Sequence, residues 1–126
     1  IEGGADVLVT TNTLGPGMVI DVRRRRPVLA NTVGGVSGSA IRPIALRSVW
    51  QLAQLGCPIV AVGGVSTGEH VAQMMMAGAT AVQVGTCLVD EGFFGISRIV
   101  EEFSTFLQEE KFEAASEIIG LARRSK

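Results

Sequence analysis

Two glycine-rich turns contain the residues of this sequence best suited to binding chemistry. Gly63 and Gly64 directly follow an apolar run at residues 59–62, and Gly85 and Thr86 follow a second short apolar run. Glycine lets the backbone approach a ligand closely, so that turns of this kind present N–H groups to an anion. The threonine hydroxyl adds another donor. The pattern indicates phosphate binding, although a single strand–glycine–helix segment more often only turns the chain.

A third glycine-rich segment strengthens this interpretation. Residues 31–38 read Asn-Thr-Val-Gly-Gly-Val-Ser-Gly and run towards a predicted helix. If the strands lie side by side and parallel, the three turns converge at one end of the sheet. Ser66, followed three residues later by Glu69, predicts a capping box that opens a helix after Gly63 and Gly64. The unpaired N–H groups of that first turn would also face the anion.

The apolar periodicity predicts strands that alternate with helices. The expected elements are a strand at 7–11, a hairpin at 18–29, a helix at 43–55, a strand at 59–62, a helix at 66–77, a strand at 81–84, and helices at 93–109 and 112–122. Alternation of this kind is typical of an α/β fold with a parallel sheet and right-handed crossovers.

Three βα units are too few to close a sheet. A (β/α)₈ TIM barrel typically has about 250 residues, and three parallel strands alone leave two edges unpaired. We therefore expect the chain to be the C-terminal three βα units of such a barrel, with a small β-hairpin inserted after the first strand. Residues 1–126 would form the C-terminal part of one domain. The start at Ile1, which resembles the end of a helix and lacks an initiator Met, favours the same interpretation.

Composition excludes several classes of function. A formal net charge of −1 gives no reason to expect nucleic acid or an anionic membrane as a partner. No apolar run reaches the length of a membrane span, and no signal peptide is visible. The two cysteines have neither zinc-site spacing nor a disulfide framework, which favours a reducing, cytoplasmic setting.

Several other residues that carry chemistry elsewhere have simpler interpretations here. The arginines at 23–26 are expected to form a solvated hairpin tip. His70, the only histidine, is expected at the surface rather than as a metal ligand or base. Trp50 falls on the apolar side of its helix and is expected in the core.

Taken in order, the motifs resemble the C-terminal half of class 1 dihydroorotate dehydrogenases, and most closely the NAD-linked subgroup. The matching segments are Asn12-Thr13 at a strand end, Pro27-Val28-Leu29-Ala30-Asn31, Gly34-Gly35-Val36-Ser37-Gly38, Gly63-Gly64-Val65 and Val84-Gly85-Thr86. The resemblance implies an FMN-dependent barrel enzyme that oxidises dihydroorotate to orotate in pyrimidine biosynthesis. It also implies a homodimer and, for the subgroup, an electron-transfer subunit carrying FAD and an iron–sulfur cluster.

The resemblance assigns roles to particular residues. Asn12 and Thr13 would contact the pyrimidine, since an amide offers both a donor and an acceptor. The residues implied in FMN binding are the backbone of Thr11, with Gly38, Gly63, Gly64, Gly85 and Thr86.

The resemblance implies that the catalytic base lies outside this chain. The family places that Cys or Ser, with a flavin-side lysine, in the first half of the barrel. Cys57 precedes a strand, at the end of a barrel away from the chemistry. Cys87 is expected to be a small packing residue. No metal site is expected.

Two alternatives share the phosphate-binding turns. One is another FMN or phosphate-binding TIM-barrel enzyme, such as a flavin domain like that of dihydropyrimidine dehydrogenase. The other is a non-catalytic half-barrel that binds a phosphate ligand. The pair Asn12 and Thr13 favours the dihydroorotate enzyme over the first alternative, and the identity of the missing base loop would decide between them. The second alternative gains weight only if the isolated chain proves folded and complete.

Overall fold

The computed structural model describes residues 2–124, so that Ile1, where the predicted helix end begins, lies outside the described residues. The strands are β1 (Leu8–Thr10), β2 (Leu14–Gly17), β3 (Ile20–Asp21), β4 (Arg26–Pro27), β5 (Gly34–Val36), β6 (Ile59–Val62) and β7 (Ala81–Gln83). The helices are α1 (Arg42–Leu52), α2 (Gly68–Ala77), α3 (Cys87–Glu91), α4 (Phe94–Glu109) and α5 (Leu121–Arg124), with 3₁₀ turns at Ser39–Ile41, Ala53–Leu55 and Ala115–Ile118.

A parallel sheet forms the centre of the fold, in the order β1-β6-β7. Leu8 pairs with Ile59 and Val60 with Ala81. The central strand β6 is short and apolar, as a strand covered by helices must be, and its Ile59 and Ala61 are fully buried. The predicted α/β fold with a parallel sheet is confirmed.

The helices cover the sheet with the faces that their periodicity predicts. Val49 of α1 and Met74 of α2 are fully buried in one core cluster with Ile59 of β6, and Trp50 packs against that cluster as expected. A second cluster joins α2 to α4 and to Ile118, which is also fully buried. None of the helices within residues 2–124 is both long and apolar enough to cross a membrane.

Two antiparallel pairs lie outside the main sheet. In the first, β3 pairs with β4 and the arginines at 23–26 are exposed at the turn, where the Asp21 carboxylate accepts hydrogen bonds from the N–H groups of Arg23 and Arg24. In the second, β2 pairs with β5, which the sequence did not predict. Both strands contain glycine, and β2 also contains Pro16. The sequence pattern misses them because these residues are usually depleted in strands.

Helix α2 does not begin where the sequence predicted. Its N-cap is Thr67, whose Oγ1 accepts a hydrogen bond from the His70 N–H at 3.2 Å. The predicted capping box of Ser66 and Glu69 is therefore wrong by one residue. The reason is local competition: Thr67 has the extended backbone of an N-cap, whereas the Ser66 N–H donates to Nδ1 of His70.

The predicted helix at 112–122 is also wrong. It is divided into a 3₁₀ turn and α5, with Gly120 between them at φ +71°. A left-handed glycine ends the first turn of helix and redirects the chain. The Glu117 carboxylate accepts hydrogen bonds from the N–H groups of Glu113 and Ala114, which stabilises the start of that turn.

Candidate functional site

A cavity of about 610 Å³ lies at the carboxyl ends of the parallel strands. Segments after β1, after β6 and after β7 line it, together with residues that precede α1. It contains every residue to which the sequence gave a binding role: Thr11, Asn12, Thr13, Gly38, Gly63, Gly64, Gly85 and Thr86. The predicted convergence of the three glycine-rich turns is confirmed.

The turn after β6 is pressed against the turn before α1. Gly64 has φ +70°, and a Cβ added to it would lie 2.6 Å from the carbonyl oxygen of Gly38 and 2.7 Å from Cβ of Arg42. Gly63, at φ +138°, is similarly close to Ala45. These two positions require glycine for both conformation and space, which fixes the distance between the two turns.

The turn after β7 has a different character. A Cβ on Gly85 would meet no atom within 4 Å, so that this residue faces open space. Thr86 follows, and its carbonyl oxygen accepts the Val89 N–H at 3.0 Å as α3 begins. Within residues 2–124, the backbone N–H groups of Gly64, Gly85 and Thr86 donate no hydrogen bond to protein. They are backbone donors at the cavity that an anion can use.

In the first turn of α2, the N–H groups of Gly68 and His70 are not available to an anion. The Gly68 N–H donates to Oε2 of Glu102 at 2.8 Å, and the His70 N–H donates to Thr67. Two of the N–H groups that the sequence offered to the anion are therefore already paired with side chains of this chain. The donors come from the glycine turns themselves.

His70 is half-buried rather than at the open surface, which corrects the sequence interpretation. Its Nδ1 lies 3.3 Å from both the N and the Oγ of Ser66, and the Ser66 N–H donates to it. Burial lowers the pKa of His70, and the positive charge of Arg42 lowers it further, against the raising effects of Glu69 and Glu102. The imidazole is therefore neutral at pH 7. By accepting the Ser66 N–H, it stabilises the turn beside the cavity.

The side chain of Asn12 is oriented by its neighbour. Its Oδ1 accepts the Thr13 N–H at 2.7 Å, which leaves the amide NH₂ as the group able to meet a ligand. Both residues are exposed at the rim of the cavity. The arrangement favours donation of a hydrogen bond to a carbonyl or carboxylate oxygen.

The sequence missed other residues of the cavity, among them Ser39, Ser66, Cys87 and Asp90. Asp90 could have been found, because it lies one helical turn after Thr86 and so on the same side of α3. Ser66 was read as a helix start, which hid its place in the cavity wall.

Cys87 is buried as predicted, and it also lines the cavity. Burial raises the pKa of its thiol, and the negative charges of Glu91 and Asp90 raise it further, against the lowering effect of Arg98. The thiol is therefore protonated at neutral pH. We expect iodoacetamide to alkylate Cys87 slowly at pH 7 and faster only as the pH rises above the usual thiol range, since the thiolate is the reactive form.

Mass spectrometry of peptides containing each cysteine measures this reactivity. Half-buried Cys57, at the opposite end of β6, serves as the internal control. Alkylation of Cys87 at pH 7 as fast as that of a free thiol would contradict the expectation and would indicate an activated nucleophile.

Comparison with known proteins identifies the family of this chain. The family described as dihydroorotate dehydrogenase matches residues 2–107. The chain is similar to proteins named dihydroorotate dehydrogenase B (NAD(+)), catalytic subunit. The protein from Citrifermentans bemidjiense is 48% identical over 121 residues, which cover 94% of this chain and 39% of the relative. The protein from Pyrococcus furiosus is 43% identical over 121 residues, covering 95% of this chain and 40% of the relative.

A solved structure agrees. The crystal structure of DHODH in complex with ferulenol from Eimeria tenella has a TM-score of 0.79 to this chain at 27% identity, covering 98% of this chain and 32% of that one. The chain spans about 39–40% of the length of the curated relatives that it matches. The resemblance to the NAD-linked subgroup is confirmed, and the chain belongs to the dihydroorotate dehydrogenase family.

Proposed function

We propose that this chain supplies the FMN-phosphate site and part of the pyrimidine site of an enzyme that oxidises dihydroorotate to orotate in de novo pyrimidine biosynthesis. The observation that carries the proposal is the convergence of the three glycine-rich turns in one cavity beside Asn12 and Thr13. We call Gly38, Gly63, Gly64, Gly85 and Thr86 the phosphate cradle.

The chain would form the last three βα units of a (β/α)₈ barrel, with the β3–β4 hairpin inserted after the first strand. Residues 1–126 would then be the C-terminal part of one FMN-binding domain. Its three parallel strands, its cavity at their carboxyl ends and its coverage of about 39% of a relative support this placement.

The residues of the cavity fit FMN. A volume of about 610 Å³ is in the range of ligand pockets, and the free N–H groups of Gly64, Gly85 and Thr86 suit a phosphate. With the Thr86 hydroxyl they would form charge-assisted hydrogen bonds. The Thr11 N–H donates to Val62 at 2.6 Å, so that the Thr11 carbonyl is the backbone group left for the flavin.

The chemistry divides between the flavin and the protein. FMN, when bound, supplies the acceptor for the hydride that leaves C6 of dihydroorotate. The Asn12 amide donates a hydrogen bond to a substrate oxygen, and Thr13 lies beside it at the rim. The base that takes the C5 proton lies outside this chain. Cys87 is a poor candidate because its thiol is protonated at neutral pH.

The proposed partners follow from the family. The similar proteins are named catalytic subunits, which supports a separate electron-transfer subunit that carries FAD and an iron–sulfur cluster. We also propose a homodimer of the complete catalytic chain, located in the cytoplasm.

Asn12→Ala tests the substrate assignment in the full-length protein. We expect the variant to retain its flavin and to lose about tenfold to hundredfold in kcat/KM for dihydroorotate, because an unpaired polar group at the site costs about 1–3 kcal/mol. Steady-state kinetics measures the loss. Gln73→Ala, which removes an amide that pairs with Glu69 on α2, is the matched control and should leave the kinetics unchanged. Wild-type kinetics in the Asn12→Ala protein would show that Asn12 only ends a strand.

A further inference from the structure

Arg98, on α4, joins three segments of the chain. Its Nε and Nη2 donate to the two carboxylate oxygens of Glu91 at 2.9 and 2.7 Å. The same Nη2 donates to the carbonyl oxygen of Ser66 at 3.0 Å, and Nη1 donates to Oε1 of Glu102. The other oxygen of Glu102 accepts the Gly68 N–H.

These contacts connect the segments that follow β6 and β7, which line two sides of the cavity. Ser66 lies between the Gly63-Gly64 turn and α2, and Gly68 is the first residue of α2. Glu91 is the last residue of α3, the short helix that starts directly after Gly85 and Thr86. One guanidinium therefore links the segment after β6 to the segment after β7, although Arg98 itself does not line the cavity.

This cluster fixes the orientation of the segments that it joins, rather than adding much ion-pair energy. The side chains of Arg98, Glu91 and Glu102 are about 37–40% exposed, and ion pairs of that exposure contribute little singly. A planar guanidinium that donates two parallel hydrogen bonds to a carboxylate fixes the relative orientation of the two side chains, which an isolated charge cannot do. The Gly68 N–H and then Arg98 hold the pKa of Glu102 below its usual range, so the cluster stays charged at neutral pH.

We propose that Arg98 is a positioning residue that holds the two halves of the phosphate cradle at a fixed separation, so that the cradle is formed before FMN arrives. This inference rests on the proposed function. A site that is already formed binds more tightly because less ordering is needed on binding. If loss of Arg98 leaves the cradle correctly formed about one tenth of the time, the apparent Kd for FMN rises about tenfold.

Arg98→Met in the full-length protein, stripped of flavin, tests the proposal. Fluorescence titration with FMN should show a Kd about tenfold higher than that of the wild type. Arg123→Met is the matched control. Arg123 also donates to a backbone carbonyl, that of Trp50, and its guanidinium lies 4.9 Å from the Trp50 ring, but it does not line the cavity. This control should lower the unfolding temperature and leave the Kd for FMN unchanged.

Amide hydrogen exchange of the flavin-free proteins gives a readout that does not depend on FMN. In Arg98→Met, the amides of residues 63–69 and 85–91 should exchange faster, whereas in Arg123→Met they should not. Arg98→Lys keeps the charge without the planar fork and should recover only part of the FMN affinity. If Arg98→Met does not fold, Glu91→Gln removes one partner alone and should loosen residues 85–91 and raise the Kd.

The outcomes separate the two proposals. Faster exchange in both segments together with a raised Kd supports the positioning role. An unchanged Kd, unchanged exchange, or an equal change in Arg123→Met would overturn it. A wild-type protein that binds no FMN would overturn the proposed function, while the exchange comparison would still test whether Arg98 orders the two segments.

Discussion

The Gly85→Val variant of the full-length protein is expected to purify folded but without most of its flavin. A Cβ at this position meets no atom within 4 Å, and Gly85 does not have a positive φ, so that valine fits the backbone. Its methyl groups would occupy the open space of the cavity beside the N–H groups of Gly85 and Thr86. Loss of several charge-assisted hydrogen bonds, at about 1.5–3 kcal/mol each, reduces FMN affinity by more than tenfold.

Flavin absorbance relative to protein absorbance measures the occupancy, and circular dichroism checks the fold. Gly3→Val is the matched control, because a Cβ there also meets nothing within 4 Å and Gly3 does not line the cavity. Full occupancy in Gly85→Val would disprove the phosphate assignment.

Gly64→Val is expected to behave differently, although it lines the same cavity. At φ +70°, with the Gly38 carbonyl oxygen 2.6 Å from an added Cβ, a side chain strains the backbone and pushes the two turns apart. We expect both the unfolding temperature and the flavin content to fall. The contrast between the two glycines separates a lost ligand contact from a damaged fold.

The sequence contained enough information for the location of the site. Short apolar runs that end in glycine mark the carboxyl ends of parallel strands, and those ends meet at one edge of the sheet. This pattern predicts that Gly38, Gly64 and Gly85 lie together, and the cavity contains all of them. The positions of α1 and α4 were predictable from their apolar periodicity, because the apolar residues of each helix pack into a core cluster.

The remaining features depend on contacts distant in sequence. The pairing of β2 with β5 joins residues about twenty positions apart, through strands whose glycines and single proline, Pro16, predict turns. The α2 N-terminus was expected to be free, but Glu102, 34 residues away, occupies its Gly68 N–H. Arg98 reaches Ser66 across 32 residues. A local sequence pattern cannot predict hydrogen bonds between residues more than thirty positions apart, so the contacts that support the cavity were not predictable.

Residues 1–126 expressed alone are not expected to form a stable monomer. Phe93 and Phe94 are 83% and 88% exposed, and Val9 of the edge strand β1 is 61% exposed. Within residues 2–124, the outer edges of β1 and β7 pair with no other strand of the sheet. Open edges and exposed apolar side chains promote association, and a unit of this size buries a small share of its surface.

Size-exclusion chromatography with light scattering, together with thermal unfolding, tests this expectation on the segment alone and mixed with the remainder of the proposed barrel. Alone, the segment should aggregate or self-associate and show no dehydrogenase activity, because the proposed base is supplied by the other half. Mixing should recover soluble protein that binds FMN. A soluble monomer with a sharp unfolding transition would refute the half-barrel proposal. Activity from that monomer would mean that Cys57 or Cys87 acts as the base, which a serine variant of each would then decide.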